Sequence, residues 1–284
     1  MSGPPPSMSV WLPRIARHIV LSLLAVTILL PFAWIVLSSV KTLPEFFKFP
    51  PTFWPQAPTL EHYAYVLTRY DLIKRFYLNS LIITPISVVL TVSISVLAGY
   101  GFARFRFPFG RAIFWLIVLS LYFPTNITSI FAIFEMTSAM GLQDTKTGLI
   151  LPYTALHLPI FLFVMYTIFK QIPRELEEAA YIDGASPFQT FFSIMLPLAV
   201  TGIVVIIILA FTAIWGEFLL ARTLTTDNAM PIGVGLTAIQ TNMGDTEFPI
   251  LAAAYVGAIV PPVLIFAVLQ RWFMRGLLAG ALKF

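Results

Sequence analysis

The 284-residue sequence has no cysteine and little charge: 17 basic and 13 acidic residues make up 11% of it, against about 25% in soluble domains. Without cysteine there is no disulfide framework, thiolate nucleophile or Cys-ligated metal. The basic residues are scattered, and no dense Lys/Arg run exists that could neutralise a series of phosphates, so nucleic-acid binding is excluded along with disorder and collagen. His18, His62 and His157 are too far apart for a paired metal-ligand motif, and no metal site is expected. No glycine is followed by lysine, so a Gly-x-x-x-x-Gly-Lys-Ser/Thr phosphate loop cannot form; Gly-x-Ser-x-Gly is also missing. No catalytic residue is expected and no cofactor bound to this chain.

What the sequence does have is apolar surface, 58% of residues with 15% aromatic. That leaves too little polar surface to cover a globule in water, so a bilayer must supply the solvent. Six windows carry none of the charges: Ile19–Val40, Phe76–Ala103, Ala112–Phe134, Thr147–Phe169, Phe188–Gly216 and Phe248–Gln270. A helix rising about 1.5 Å per residue needs about 20 apolar residues to cross a hydrocarbon core, and each window is long enough. The expected fold is an all-α membrane protein with six transmembrane helices. Runs such as Ile203–Leu209 do not alternate in polarity, which excludes a β-barrel. The first window has no small-x-small cleavage site and reads as an anchor. With both termini inside, ten of the 17 basic residues fall on the inner side, a modest positive-inside bias.

Between the fourth and fifth windows, Lys170 to Pro187 reads as two short helices. Pro173 suits a first helical position, Glu175, Glu177 and Glu178 favour the positive end of the helix dipole, and Gly184 suits a left-handed stop; Ser186 and Pro187 then open the next helix. Leu176, Ala179 and Ala180 predict a small apolar face. Four acids between Glu175 and Asp183 would be repelled by an anionic leaflet, so a protein partner fits this helix better than a membrane surface.

Glu178-Ala179-Ala180, then Gly184, Ile194 and Leu196-Pro197 at their spacings, resemble the cytoplasmic EAA loop of permease subunits of bacterial ABC importers. Trp215-Gly216-Glu217-Phe218 and the terminal Gly276 to Lys283 are similar to the carbohydrate-uptake branch, and within it to the shorter, MalG-type permeases. Gly216 departs from the asparagine common in relatives. The resemblance implies a type I importer permease fold, a multi-pass protein of the bacterial inner membrane with cytoplasmic termini. It implies as partners a second, non-identical permease, two cytoplasmic ATPase subunits that bind ATP and Mg, an extracytoplasmic solute-binding protein and membrane lipid. Segments would then be a disordered cytoplasmic terminus over 1–14, a first transmembrane helix over 15–40 and an extracytoplasmic loop over 41–75. A five-helix core over 76–274 contains the coupling loop 171–197, and 275–284 is a cytoplasmic tail.

The residues expected to couple to the ATPase are Glu175, Glu178, Ala179, Ala180, Asp183, Gly184, Ile194, Leu196 and Pro197. Tyr122, Asn126, Trp215 and Glu217 are candidates for the substrate pathway, where aromatic faces suit sugars, and Pro124 among them would kink a helix beside it. In the loop Arg222–Pro249, the uncharged Met230-Pro231-Ile-Gly233-Val-Gly235 is too broken by Gly and Pro to span; it is expected to reach outward to the binding protein. An ion-coupled secondary transporter is the alternative. Such carriers place ionisable groups at the midplane, and only His157, expected to bond a neighbouring helix, lies well inside a window.

Overall fold

Five of the six uncharged windows become helices long and apolar enough to cross a bilayer in the computed structural model, which describes residues 8–68, 71–122, 125–243 and 248–281. In chain order the helices are α1 (Met8–Ser39), α2 (Leu43–Phe46), α3 (Glu61–Thr68), α4 (Asp71–Arg104), α5 (Gly110–Leu119), α6 (Thr125–Ala139), α7 (Lys146–Gln171), α8 (Glu175–Ile182), α9 (Pro187–Thr190), α10 (Leu196–Trp215), α11 (Leu219–Leu224), α12 (Ile232–Met243) and α13 (Phe248–Ala281). No strand occurs among the described residues.

The remaining window, 112–134, is not one helix. Its first part, α5, tightens into a 3-10 turn at Ser120–Tyr122, and its second part is α6. The sequence reads Tyr122-Phe-Pro-Thr125 there, and a proline has no amide proton for the helix ladder and crowds the carbonyl four residues before it. Pro124 itself lies outside the described residues. A second proline is handled differently. Pro197 sits at the start of α10, and Phe191–Met195 before it form a π-helical turn, so that Pro187–Trp215 continues as one 29-residue helix.

The chain divides into two compact units. One comprises Met1–Asp71 with Ile239–Gly257. Here α1 leaves its span unburied, and the loop after it is organised by two buried ions. Lys41 donates to the Thr52 carbonyl and lies 4.6 Å above the Trp34 ring, while Glu45 accepts from the Gln56 amide at 2.7 Å and the Thr52 hydroxyl at 3.1 Å. The Phe46 ring stacks on Phe248 at 5.5 Å.

The other unit comprises Leu72–Ala238 with Ala258–Phe284. Its core is closed by aromatic rings near the ends of α4 and α7: Tyr100 lies 5.3 Å from Phe169 and 4.8 Å from Phe191. Gly99 lets α4 approach α7 closely, since a Cβ there would lie 2.7 Å from Met165 Cβ and 2.9 Å from the Tyr166 amide nitrogen. Neither neighbour is the far end of a flexible chain, so the added atom must move backbone. Gly99→Ala is expected to lower stability by about 1–3 kcal/mol as overpacking. Gly101→Ala, where nothing lies within 4 Å of the new atom, leaves it unchanged or raises it. Thermal unfolding of the two variants in detergent checks the contrast.

Candidate functional site

The short helix α8 ends as its sequence dictates. Gly184 has φ +82°, its amide donates to the Tyr181 carbonyl at 3.1 Å, and the Ala185 amide donates to the Ala180 carbonyl at 2.9 Å. These two bonds satisfy carbonyls that the helix end would otherwise leave open. Ser186 then caps α9: its hydroxyl accepts from the Gln189 amide while the Gln189 side chain accepts from the Ser186 amide, with Pro187 in the first helical position. The start differs from the expectation for Pro173. Helix α8 begins at Glu175, with the Arg174 carbonyl accepting from the Glu177 and Glu178 amides.

The inward face of α8 also differs. Leu176, Ala179 and Ala180 were the expected apolar face, yet only Ala180 is buried, and the other buried residue is an acid, Glu177. The cause is Arg104 at the end of α4. Its Nε donates to Glu177 Oε1 at 2.8 Å and its terminal nitrogen donates to the Ile172 carbonyl at 2.7 Å, with side chains only 5% and 10% exposed. Sequence reasoning missed this pair, although both ions flank uncharged windows on the same expected side.

Of the residues expected to meet a partner, Glu175, Glu178, Ala179, Asp183 and Gly184 share the exposed part of α8 and its stop, with Ile182 86% exposed beside them. A Cβ on Gly184 would meet nothing within 4 Å. Ala180 is buried beneath them. Ile194 falls in the π-turn, and Leu196 and Pro197 open α10; they shape the helix that follows rather than the exposed face.

Three of the four pathway candidates have described side chains, and each has its own surroundings. Tyr122 is 84% exposed, and the Asn126 side chain lies outside the described residues. Trp215 is buried: its Nε1 donates to the Ala258 carbonyl at 3.0 Å and its ring stacks on Phe211 at 5.4 Å. The Glu217 carboxylate accepts from the Leu220 and Ala221 amides at 2.8 and 3.0 Å, and from the Tyr153 hydroxyl at 2.8 Å. It therefore anchors the start of α11. His157 Nδ1 donates to the Tyr153 carbonyl at 2.8 Å within its own helix, not to a neighbouring one.

The stretch expected to reach outward is packed inward instead. Met230, Pro231 and Gly235 are buried and Gly233 is half-buried. The glycines break no helix, because Ile232–Met243 is helical; Gly235 is small where the Phe76 ring comes within 2.1 Å of a would-be Cβ. Asn79 Nδ2 donates to the Asn228 and Met230 carbonyls at 2.8 and 3.0 Å, and the Ile232 amide donates to Ser80 Oγ at 2.8 Å. Just before Met230, Thr226, Asp227 and Asn228 form an exposed polar run.

Asp144 holds that open segment. At φ +52° it accepts from the amides of Thr226, Asn228 and Ala229 at 3.0–3.2 Å and from the Thr226 hydroxyl at 2.7 Å. Partial burial alone would raise its pKa; these hydrogen bonds outweigh that and hold the carboxyl well below the usual carboxylate range. Among the described residues no group of three or more His, Asp, Glu or Cys could hold a metal ion.

Residues 91–278 match the family described as "Binding-protein-dependent transport system inner membrane component". Over 272 residues the chain is 38% identical to the sulfoquinovosyl glycerol transport system permease protein of Agrobacterium fabrum, covering 94% of this chain and 93% of that one. It is 33% identical to the diacetylchitobiose uptake system permease protein of Streptomyces coelicolor, with coverages of 89% and 84%. It is 35% identical to the trehalose/maltose transport system permease protein of Thermococcus litoralis, with coverages of 96% and 98%. A solved bacterial ABC transporter involved in import of the acidic polysaccharide alginate superposes with a TM-score of 0.82 at 21% identity, covering 95% of this chain and 100% of that chain; the fold is that of an ABC importer permease.

Removing one partner of a buried ion pair leaves the other uncompensated, typically at about 3–5 kcal/mol. Arg104→Gln and Glu177→Gln are each expected to destabilise by that order, whereas the double replacement costs less than the two together, measurable as a thermal double-mutant cycle. For Asp144 the depressed pKa means that its contribution is present above about pH 4 and fades as the pH falls below that. Asp144→Asn is therefore expected to melt lower than the native chain at pH 7, with the gap narrowing toward pH 3.

Proposed function

The chain belongs to the family of inner membrane components of binding-protein-dependent transport systems, and we propose on that premise that it forms half of the translocation pathway of an ATP-driven carbohydrate importer. It is a transport component and not an enzyme. The observation that carries the substrate class is the set of relatives sharing nearly the whole chain, whose names specify sulfoquinovosyl glycerol, diacetylchitobiose and trehalose/maltose. All are glycosides, so a small glycoside or oligosaccharide is the cargo proposed.

The chain has no phosphate loop, so nucleotide and Mg would be bound by partner ATPase subunits docking on α8 from the cytoplasm. The acids and small residues exposed on α8 support that contact, with Arg104 and Glu177 fastening the helix to α4 behind it. A second, non-identical permease would complete the pathway, and α1, whose span is unburied within the chain, has the surface for such a neighbour. Thr226, Asp227 and Asn228 are the polar residues we assign to the binding-protein side, in place of the buried Met230, Pro231 and Gly235 and the half-buried Gly233. Both termini are cytoplasmic in this arrangement. Tyr122 and Asn126 remain the pathway candidates; Trp215 and Glu217 act through the scaffold.

The test is ATPase co-purification and sugar uptake in coupling-helix variants of the assembled transporter. A side chain at position 184 meets a left-handed backbone penalty of about 1 kcal/mol together with the partner surface, so Gly184→Val is expected to release or uncouple the ATPase. Reversing a charge against a basic or polar socket costs more than removing it, so Glu178→Lys is expected to be worse than Glu178→Gln. Normal coupling in Gly184→Val, or a milder defect for Lys than for Gln, would count against docking at α8.

A further inference from the structure

We propose that the cavity between the ends of α4, α5 and α7 nearest α8 binds the phosphate headgroup of an anionic glycerophospholipid, with an acyl chain lying along its aromatic wall. The cavity measures about 500 Å³ and is lined by three cations, Arg106, Arg111 and Lys170, and by no acid. Among the described residues no carboxylate pairs with any of the three, in contrast to Arg104, two residues before Arg106. Lys170 Nζ donates to the Tyr166 hydroxyl at 3.1 Å and lies 5.3 Å from that ring, which leaves two of its protons for a ligand.

The wall is built rather than incidental. Phe114 lies 4.3 Å from Tyr166, 5.5 Å from Phe102 and 5.8 Å from Trp115, centroid to centroid. Phe109 adopts φ +60° at the turn into α5, and Gly110 leaves room for the Phe107 ring, which a Cβ would approach to 2.9 Å.

Position decides the occupant. The uncharged windows end at Ala103, begin at Ala112 and end at Phe169, so the three cations ring the edge of the hydrocarbon while Trp115 and Phe163, both exposed, lie inside it. A basic pocket between membrane helices at this depth fits an anionic headgroup above and a hydrocarbon chain below. A water-soluble acidic protein or a free phosphate would meet the cations but leave the rings without a partner.

The experiment reconstitutes the full-length chain in phosphatidylcholine bilayers containing brominated phosphatidylglycerol or brominated phosphatidylcholine. Quenching of Trp115 is read as the difference between the native chain and Trp115→Phe. Brominated phosphatidylglycerol is expected to reach half-quenching at a roughly tenfold lower mole fraction. The combined Arg106→Gln, Arg111→Gln and Lys170→Gln variant is expected to lose that preference, and Arg106→Lys with Arg111→Lys to retain most of it. Equal quenching by the two lipids in the native chain overturns the proposal on its own, whether or not the glutamine variant folds. So does a preference that survives in the folded glutamine variant, one that inorganic phosphate abolishes while sulfate at equal ionic strength does not, or one that vanishes when the transporter is assembled with its ATPase.

Discussion

Hydrocarbon offers no water to a backbone amide or carbonyl, so a chain inside it must satisfy its own polar groups. The local structure of the spans follows from that constraint. Threonine hydroxyls in the spans bond back to carbonyls four residues earlier, as Thr27 does to Leu23, Thr154 to Ile150 and Thr212 to Ile208, each at 2.8 Å. Two prolines coincide with irregular turns, a π-turn before Pro197 and a 3-10 turn before Pro124, while Pro85, Pro152, Pro159, Pro261 and Pro262 lie inside α-helices. Ser87, Thr91 and Ser95, four residues apart on α4, are exceptions, buried with no hydrogen-bond partner among the described residues. Small side chains of this kind let neighbouring helices approach closely, which is how membrane helices gain contact when the surroundings are as apolar as they are.

Charge kept out of the spans collects at their ends, where it performs separate tasks. Asp144 and Glu217 accept backbone amides and so fix the entry to short segments, much as an N-cap does. Arg104 and Glu177 are buried against each other. Desolvating two such ions offsets most of their attraction, so the pair contributes little net stability and a great deal of geometry. Among the described residues no carboxylate pairs with Arg106 or Arg111, close by in sequence.

How much of this was legible depends on the range of the physical cause. The end of α8 was readable because a left-handed stop needs glycine, and the start of α9 because Ser186 and Pro187 suit an N-cap and first helical position; both are decided within a few residues. The face of α8 was not, because what turns Glu177 inward is 73 residues away. Gly233 and Gly235 read as helix breakers on local propensity, yet Ile232–Met243 is helical, with Gly235 placed against the Phe76 ring. Trp215 and Glu217 stood out in sequence, but their partners, Ala258 and Tyr153, lie far along the chain. The uncharged windows located all six apolar stretches; counting charges alone made the third one continuous span, although Pro124 within it was expected to kink the helix.

The segment around α8 shows why a buried pair of little net stability still matters. Helix α8 joins α7 through 172–174, which contain Pro173, and joins α9 through 183–186, which contain Gly184. A helix held only by two linkers at its ends can rotate about its own axis. The Arg104 guanidinium adds a third attachment off that axis, gripping both the Glu177 carboxylate and the Ile172 carbonyl at the preceding bend. Rotation would then have to separate two buried ions, a cost of several kcal/mol. In the proposed docking, a push on the outer face would be divided between α4, through side chains, and α10, through the capped backbone of α9. This explains how three glutamates in the first turn of α8 come to differ: Glu177 fastens the helix, and Glu175 and Glu178 are left facing outward because it does.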